Sequence, residues 1–178
     1  AEAKNGLFGT NIKFPSISVG ATENAILAAF KAQGKTILNN CAIEPEIKDL
    51  IFFLKKLGGN IKISGRKIII YGTSKIKKQV EHKVIFDRIE AATYFVAGAL
   101  IGKKIKITKI RTKVLKNEIK LLKKMGVKIT IKKDYIIVSR PKKLKSINVV
   151  TRPYPGFPTD LQAQIMILMT KAEGVSAI

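Results

Sequence analysis

Two short stretches of this 178-residue chain hold residues whose types and spacing could do chemistry. The first is Ser16-Ile17-Ser18-Val19-Gly20-Ala21-Thr22, an extended segment turning into a helix start. The open N–H groups and the dipole at such a start favour an anion such as a phosphate. Plain capping of the helix by Ser18 or Thr22 is the other use of the same residues. The second stretch is Arg152-Pro153-Tyr154-Pro155-Gly156-Phe157-Pro158-Thr159-Asp160. Three prolines and a glycine stiffen this loop, so its end is well placed in space. Asp160 falls where a helix begins. Its carboxylate can cap that helix, or it can accept the hydrogen bond or proton of a substrate hydroxyl.

Other reactive side chains are sparse. Cys41 has no His near it in sequence and reads as a packing thiol. His82, between Glu81 and Lys83, reads as a surface residue of a strand. The sequence holds no metal-ligand cluster, P-loop, dinucleotide fingerprint or nucleophile elbow, so no metal and no cofactor are expected. One cysteine cannot make an internal disulfide, which fits a reducing, cytoplasmic setting.

The elements that must position these residues come from an internal repeat. Leu54-Lys55-Lys56-Leu57-Gly58-Gly59-Asn60-Ile61-Lys62-Ile63 aligns with Leu122-Lys123-Lys124-Met125-Gly126-Val127-Lys128-Ile129-Thr130-Ile131 at an offset of 68 residues. The same offset pairs Gly34 with Gly102 and Ile68-Ile69-Ile70 with Ile136-Ile137-Val138. Each unit opens with a small-residue helix, Thr22 to Gln33 and again Asp87 to Ile101, as a buried helix would read. Asp87 and Glu90 have capping-box spacing. A strand follows, Lys35 to Asn39 and Lys103 to Thr108. An amphipathic helix comes next, carrying Ile47, Leu50, Ile51, Leu54 and Leu57, then Leu115, Ile119, Leu122 and Met125. Gly58 and Gly126 are its stops.

A hairpin closes each unit: Asn60–Ser64 with Lys67–Tyr71, and Val127–Lys132 with Tyr135–Ser139. Val80–Phe86 and Ile147–Thr151 read as strands leading into the second and third units. The third holds a helix from Asp160 to Glu173, Gly174 in the place of Gly34 and Gly102, and a strand starting at Val175. The pattern is an α/β chain of repeated βαβαββ units, at about 12–72, 80–140 and 147–178. The last is incomplete, so 1–178 reads either as one partial domain, a fragment, or as a domain that a partner completes.

Charge asks for a polyanion: 34 Lys and Arg stand against 12 Asp and Glu, a net +22. The 34 are 29 Lys and only 5 Arg, whereas base reading and phosphate forks favour Arg. The chain also has 28 Ile against 13 Leu, so Lys and Ile rise together as codon bias in an A/T-rich genome would make them. Residues 103–133 carry net +12, while residues 1–60 carry +2. Lys116, Lys120, Lys123 and Lys124 share the polar side of one helix, a solvated face by default and a nucleic-acid face on the sharper reading. No aromatic residue is interleaved there for base stacking. A Lys-rich repeat module binding nucleic acid nonspecifically is the alternative function; specific nucleic acid is not expected. No apolar run is long enough for a transmembrane helix, so no membrane partner is expected either.

Several segments together resemble the UDP-N-acetylglucosamine 1-carboxyvinyltransferase family, the enolpyruvyl transferases that open bacterial peptidoglycan synthesis. They are Ser18-Val19-Gly20-Ala21-Thr22-Glu23-Asn24, Glu44-Pro45-Glu46-Ile47-Lys48-Asp49-Leu50 and Asp87-Arg88-Ile89-Glu90. Pro155-Gly156-Phe157-Pro158-Thr159-Asp160-Leu161-Gln162-Ala163-Gln164 and Ala172-Glu173-Gly174 follow in the family's order. The resemblance implies an inside-out α/β barrel fold, helices inside and sheets outside, of which this chain is a central fragment. It implies transfer of the enolpyruvyl group of phosphoenolpyruvate to the 3-hydroxyl of UDP-N-acetylglucosamine. Ser16, Ile17, Ser18, Val19 and Gly20 would contact the nucleotide sugar, largely through backbone groups. Asp160 would bind the 3-hydroxyl and serve as general base, and Thr159 would line the same pocket. Ser16 stands where many members have Lys, and Ile43 where an Arg is common. The family's reactive-loop cysteine and most of the phosphoenolpyruvate site match nothing here, so the chain alone is expected to be inactive. The related enzyme of the shikimate pathway shares the fold, but its motifs differ.

Overall fold

In each hairpin an alternating strand pairs with a continuous apolar run, and helical spacing of Ile and Leu builds the covering helices. The computed structural model describes residues 3–178. Contacts divide them into two compact units, the first ending at Ile85 and the second running from Phe86 to Ile178.

The first unit is a complete βαβαββ: β1 (Asn11–Lys13), α1 (Val19–Lys31), β2 (Lys35–Asn39), α2 (Pro45–Lys56), β3 (Asn60–Ser64) and β4 (Lys67–Tyr71). Its sheet has the order β1-β2-β4-β3. β1 and β2 are parallel, as a helical crossover requires, and the other pairs are antiparallel. Ile26, Leu38, Ile47, Ile68 and Ile70 are fully buried between the helices and the sheet. The hairpin strands β3 and β4 have the expected bounds, with Gly65 at φ +54° in the turn between them. α1 starts three residues earlier than its small-residue run suggests, because Ser18 rather than Thr22 is the N-cap. It buries one face only, through Thr22, Ile26, Ala29 and Phe30.

The second unit repeats this plan without a leading strand. It holds α3 (Arg88–Leu100), β5 (Ile105–Thr108), a 3₁₀ turn (Thr112–Leu115), α4 (Lys116–Lys124), β6 (Lys128–Ile131) and β7 (Tyr135–Ser139). The sheet order is β5-β7-β6, all antiparallel. Residues 80–86, expected as a strand, form none. Side chains of the first unit hold most of that segment instead: Lys56 Nζ donates to the Glu81 carbonyl at 2.7 Å, and His82 Nε2 lies 3.1 Å from Asp49 Oδ2. His82 is therefore not a surface residue. Its ring packs against Phe52 and Phe53, and its side chain is 7% exposed.

The third repeat lies within the second unit. β8 (Leu144–Lys145), a 3₁₀ turn (Thr159–Leu161), α5 (Gln162–Met169) and β9 (Ala172–Glu173) make a parallel βαβ start. The expected helix Asp160 to Glu173 is thus shorter at both ends, and residues 147–151 and 175–178 contribute single bridges rather than strands. Those bridges match the first unit's register. Phe8 pairs with Gln33 and Asn11 with Ile37; Lys145 pairs with Glu173 and Asn148 with Ala177.

The repeat glycines differ in cause. Gly34 and Gly174 have φ of +90° and +95°. Gly102 does not share that conformation; a Cβ there would lie 3.0 Å from the Gly98 Cα, so close packing requires it. Among the described residues no helix is long and apolar enough to cross a membrane.

Candidate functional site

The first candidate segment follows β1. Phe14 still pairs with the sheet, its N–H donating to the Asn39 carbonyl at 3.1 Å. Asn40, at φ +60°, donates from Nδ2 to the Phe14 carbonyl at 2.9 Å and fixes where the chain leaves the strand. Pro15 and Ser16 turn it, and Ser18 caps α1 in extended conformation, its Oγ accepting from Ala21 N–H at 3.2 Å. Ser16 and Gly20 are exposed, while Ile17, Ser18 and Val19 are half-buried. Ile17 and Val19 pack against the first unit's core, so their backbone groups are anchored from below.

Thr22 stabilises this turn in a way its sequence does not announce. It is fully buried. Its Oγ1 donates to the Ser18 carbonyl at 2.7 Å and accepts from Ala42 N–H at 3.0 Å, linking the helix start to the turn after β2. Beside it Glu23 has its carboxyl pushed above the usual range, by burial first and then by the charges of Glu46 and Glu44. Cys41, in the same turn after β2, is fully buried, and burial pushes its thiol up to about 11. It is a packing residue, as its sequence context suggests.

The second candidate segment lies in the second unit. The loop from Arg152 closes on itself: Arg152 N–H donates to the Phe157 carbonyl at 2.8 Å, and Gly156 N–H to the Pro153 carbonyl at 2.8 Å. A Cβ on Gly156 would lie 2.5 Å from the Arg152 Cβ, so only glycine fits. Phe157 roots the loop in the core. Pro158 ends it in extended conformation ahead of the 3₁₀ turn that carries Thr159 and Asp160. Both of these side chains are exposed. The Asp160 carboxylate makes no hydrogen bond or ion pair among the described residues, and the turn has no side-chain cap. The capping role open to Asp160 in sequence is therefore not used.

Two buried networks in the second unit were not legible as such in the sequence. Arg88, the first residue of α3, and Glu118 of α4 are 6% and 4% exposed, with Nη1 and Oε1 3.8 Å apart. Burial raises the Glu118 carboxyl, and Arg88 acts in the opposite direction. Gln164 of α5 donates from Nε2 to Thr93 Oγ1 of α3 at 3.0 Å. Asp87 caps α3 through its own carboxylate, accepting from Ile89 and Glu90 N–H groups, as the Asp87/Glu90 spacing suggested.

The lysine-rich face is also resolved. Thr112, Lys113, Lys116, Ile119, Lys120, Lys123, Lys124 and Ile131 line a shallow groove of about 600 Å³ along α4. All five of its lysines are exposed. Among the described residues no cluster of His, Cys, Asp and Glu could hold a metal ion.

Helix-capped turns on repeated βαβαββ units have counterparts among solved structures. The enolpyruvyl transferase NikO from Streptomyces tendae matches 96% of this chain with a TM-score of 0.85 and 26% identity, over 43% of its own length. An EPSP synthase structure from Acinetobacter baumannii matches 97% of the chain with a TM-score of 0.64 at 20% identity, a likeness of fold alone. The class is that of the enolpyruvyl transferase fold. Residues 2–178 match the family described as EPSP synthase (3-phosphoshikimate 1-carboxyvinyltransferase), and the chain belongs to that family.

Within it, the chain is 54% identical over 179 residues to the UDP-N-acetylglucosamine 1-carboxyvinyltransferase of Pelagibacter ubique, covering 100% of this chain and 43% of the relative. It is 45% identical to UDP-N-acetylglucosamine 1-carboxyvinyltransferase 2 of Streptococcus pyogenes serotype M18, covering 97% of this chain and 41% of the relative. The chain spans less than half the length of these relatives.

Proposed function

We propose that this chain is the part of a UDP-N-acetylglucosamine 1-carboxyvinyltransferase that carries the nucleotide-sugar half-site. The reaction moves the enolpyruvyl group of phosphoenolpyruvate onto the sugar's 3-hydroxyl and releases phosphate, in peptidoglycan synthesis in the cytoplasm. The observation that carries the reading is the Asp160 carboxylate, exposed and without an internal partner at the end of a self-closed loop. Such a group is available to take the hydroxyl's proton as the oxygen attacks. Thr159 lines the same place. Ser16 to Gly20 contribute peptide groups at a helix start, suited to the nucleotide's phosphates. The 54% identity to the Pelagibacter ubique enzyme over the whole chain supports this substrate. Because the chain matches 43% of that relative, turnover by the chain alone is not expected.

The test is a chimera in which this chain replaces the matching segment of the Pelagibacter ubique relative. Phosphate release that needs both substrates, and that Asp160→Asn lowers by about 10²–10⁴, is the expected result. A chimera that melts cooperatively yet releases no phosphate overturns the reading.

A further inference from the structure

The loop that ends at Asp160 is held from one side by a buried cation. The Arg88 guanidinium carbon sits 5.7 Å from the centre of the Tyr154 ring, and its Nη1 faces Glu118 Oε1. Neither charge is tolerable at such burial without the other. A planar guanidinium is the group that can pair with a carboxylate and still lie over an aromatic face. Next along the loop, Asn117 Nδ2 donates to the Pro155 carbonyl. Phe157 follows in the core, and past Asp160 the Gln164–Thr93 bond fixes the helix. Residues Tyr154 to Gln164 are thus pinned before and after Asp160, and the pins lead back to α3 and α4. The Asp87-Arg88-Ile89-Glu90 segment has no other role in the proposed chemistry.

We infer that Arg88, held by Glu118 and lying over the Tyr154 ring, is a positioning residue that sets where the Asp160 carboxylate stands. The inference rests on the general-base reading of Asp160. It predicts that stability and rate come apart. In the chimera, the double variant Arg88→Met/Glu118→Leu removes both buried charges together and should melt near the parent. Its kcat should fall about tenfold or more, since small misplacements of reacting groups are costly. Its KM for UDP-N-acetylglucosamine should stay within about threefold, since the half-site at Ser16–Gly20 is untouched. Arg88→Lys keeps the charge toward Glu118 but loses the planar group over the Tyr154 ring, and should lose kcat to a similar extent.

A variant of either kind that folds and keeps the parent kcat overturns the inference and leaves Arg88 a purely structural residue. Asp160→Asn is measured in parallel. If it keeps full turnover, the base reading fails, and positioning is read instead from the amide resonances of Thr159 and Asp160. Displacement of those resonances by Arg88→Lys supports positioning; unmoved resonances overturn it.

Discussion

The two candidate segments present opposite kinds of chemistry at similar places in their repeats. At Ser16–Gly20 the Ser18 Oγ already accepts from Ala21 N–H. Beside the exposed Ser16 hydroxyl, the segment offers chiefly the peptide groups of a helix start. At Thr159–Asp160 the backbone enters a 3₁₀ turn with no side-chain cap, and the carboxylate stays available. On the proposed reading, the first turn would recognise its ligand chiefly through backbone groups, so the ligand would constrain its residue types weakly. The second would act through one side chain, whose placement its self-closed loop sets.

The largest expected effect breaks the comparison from the reactive side. Asp160→Asn should cut phosphate release in the chimera by about 10²–10⁴, while the chain's stability changes by less than about 0.5 kcal/mol. A matched loss of stability would make Asp160 a structural residue like Ser18. Next comes Thr22→Val, similar in shape but without the hydroxyl. It leaves Ala42 N–H without its partner in a buried place and should cost about 1–3 kcal/mol in urea unfolding of the chain. Ser18→Ala should cost about 1 kcal/mol, the ordinary worth of an N-cap, and leave the KM for the nucleotide sugar within about twofold. A large rise in KM instead would show that the first turn also works through a side chain.

The smallest effect is a slope with pH. Burial and the nearby Glu46 and Glu44 raise the Glu23 carboxyl above 4.5, so the fold favours its protonated form. That contribution is fully present below pH 4.5 and is lost as pH rises through the raised value. Glu23→Gln lacks this loss. Urea midpoints should therefore diverge in the variant's favour as pH rises from about 4 to 7; parallel curves would remove Glu23 from the first turn's electrostatics.

Much of this was readable in the sequence where the cause is local. The hairpin of β3 and β4 follows from two strand-forming runs around Gly65, and the Asp87 cap from its spacing to Glu90. What the sequence hid depends on partners far along the chain. His82 looks like a surface residue between Glu81 and Lys83, yet Asp49, Phe52 and Phe53 enclose it from α2. Residues 80–86 read as a strand from their place ahead of the second repeat, but that segment makes no ladder. Arg88 and Glu118, 30 positions apart, show nothing in sequence of their pairing. In the candidate segments, the Ser18 cap and the helical start at Asp160 were legible. Thr22's two bonds and the braces behind the loop were not, because hydrogen bonds between elements leave no periodic trace.

Thr22's bridge to Ala42 also makes that backbone amide a reporter. The Ala42 N–H exchanges with deuterated solvent only when the Thr22 hydroxyl lets go, and that same hydroxyl holds the Ser18 carbonyl at the head of α1. A ligand that steadies the turn will slow Ala42 exchange without touching it. One protected proton, deep behind the turn, can thus be timed as a clock of occupancy at the surface.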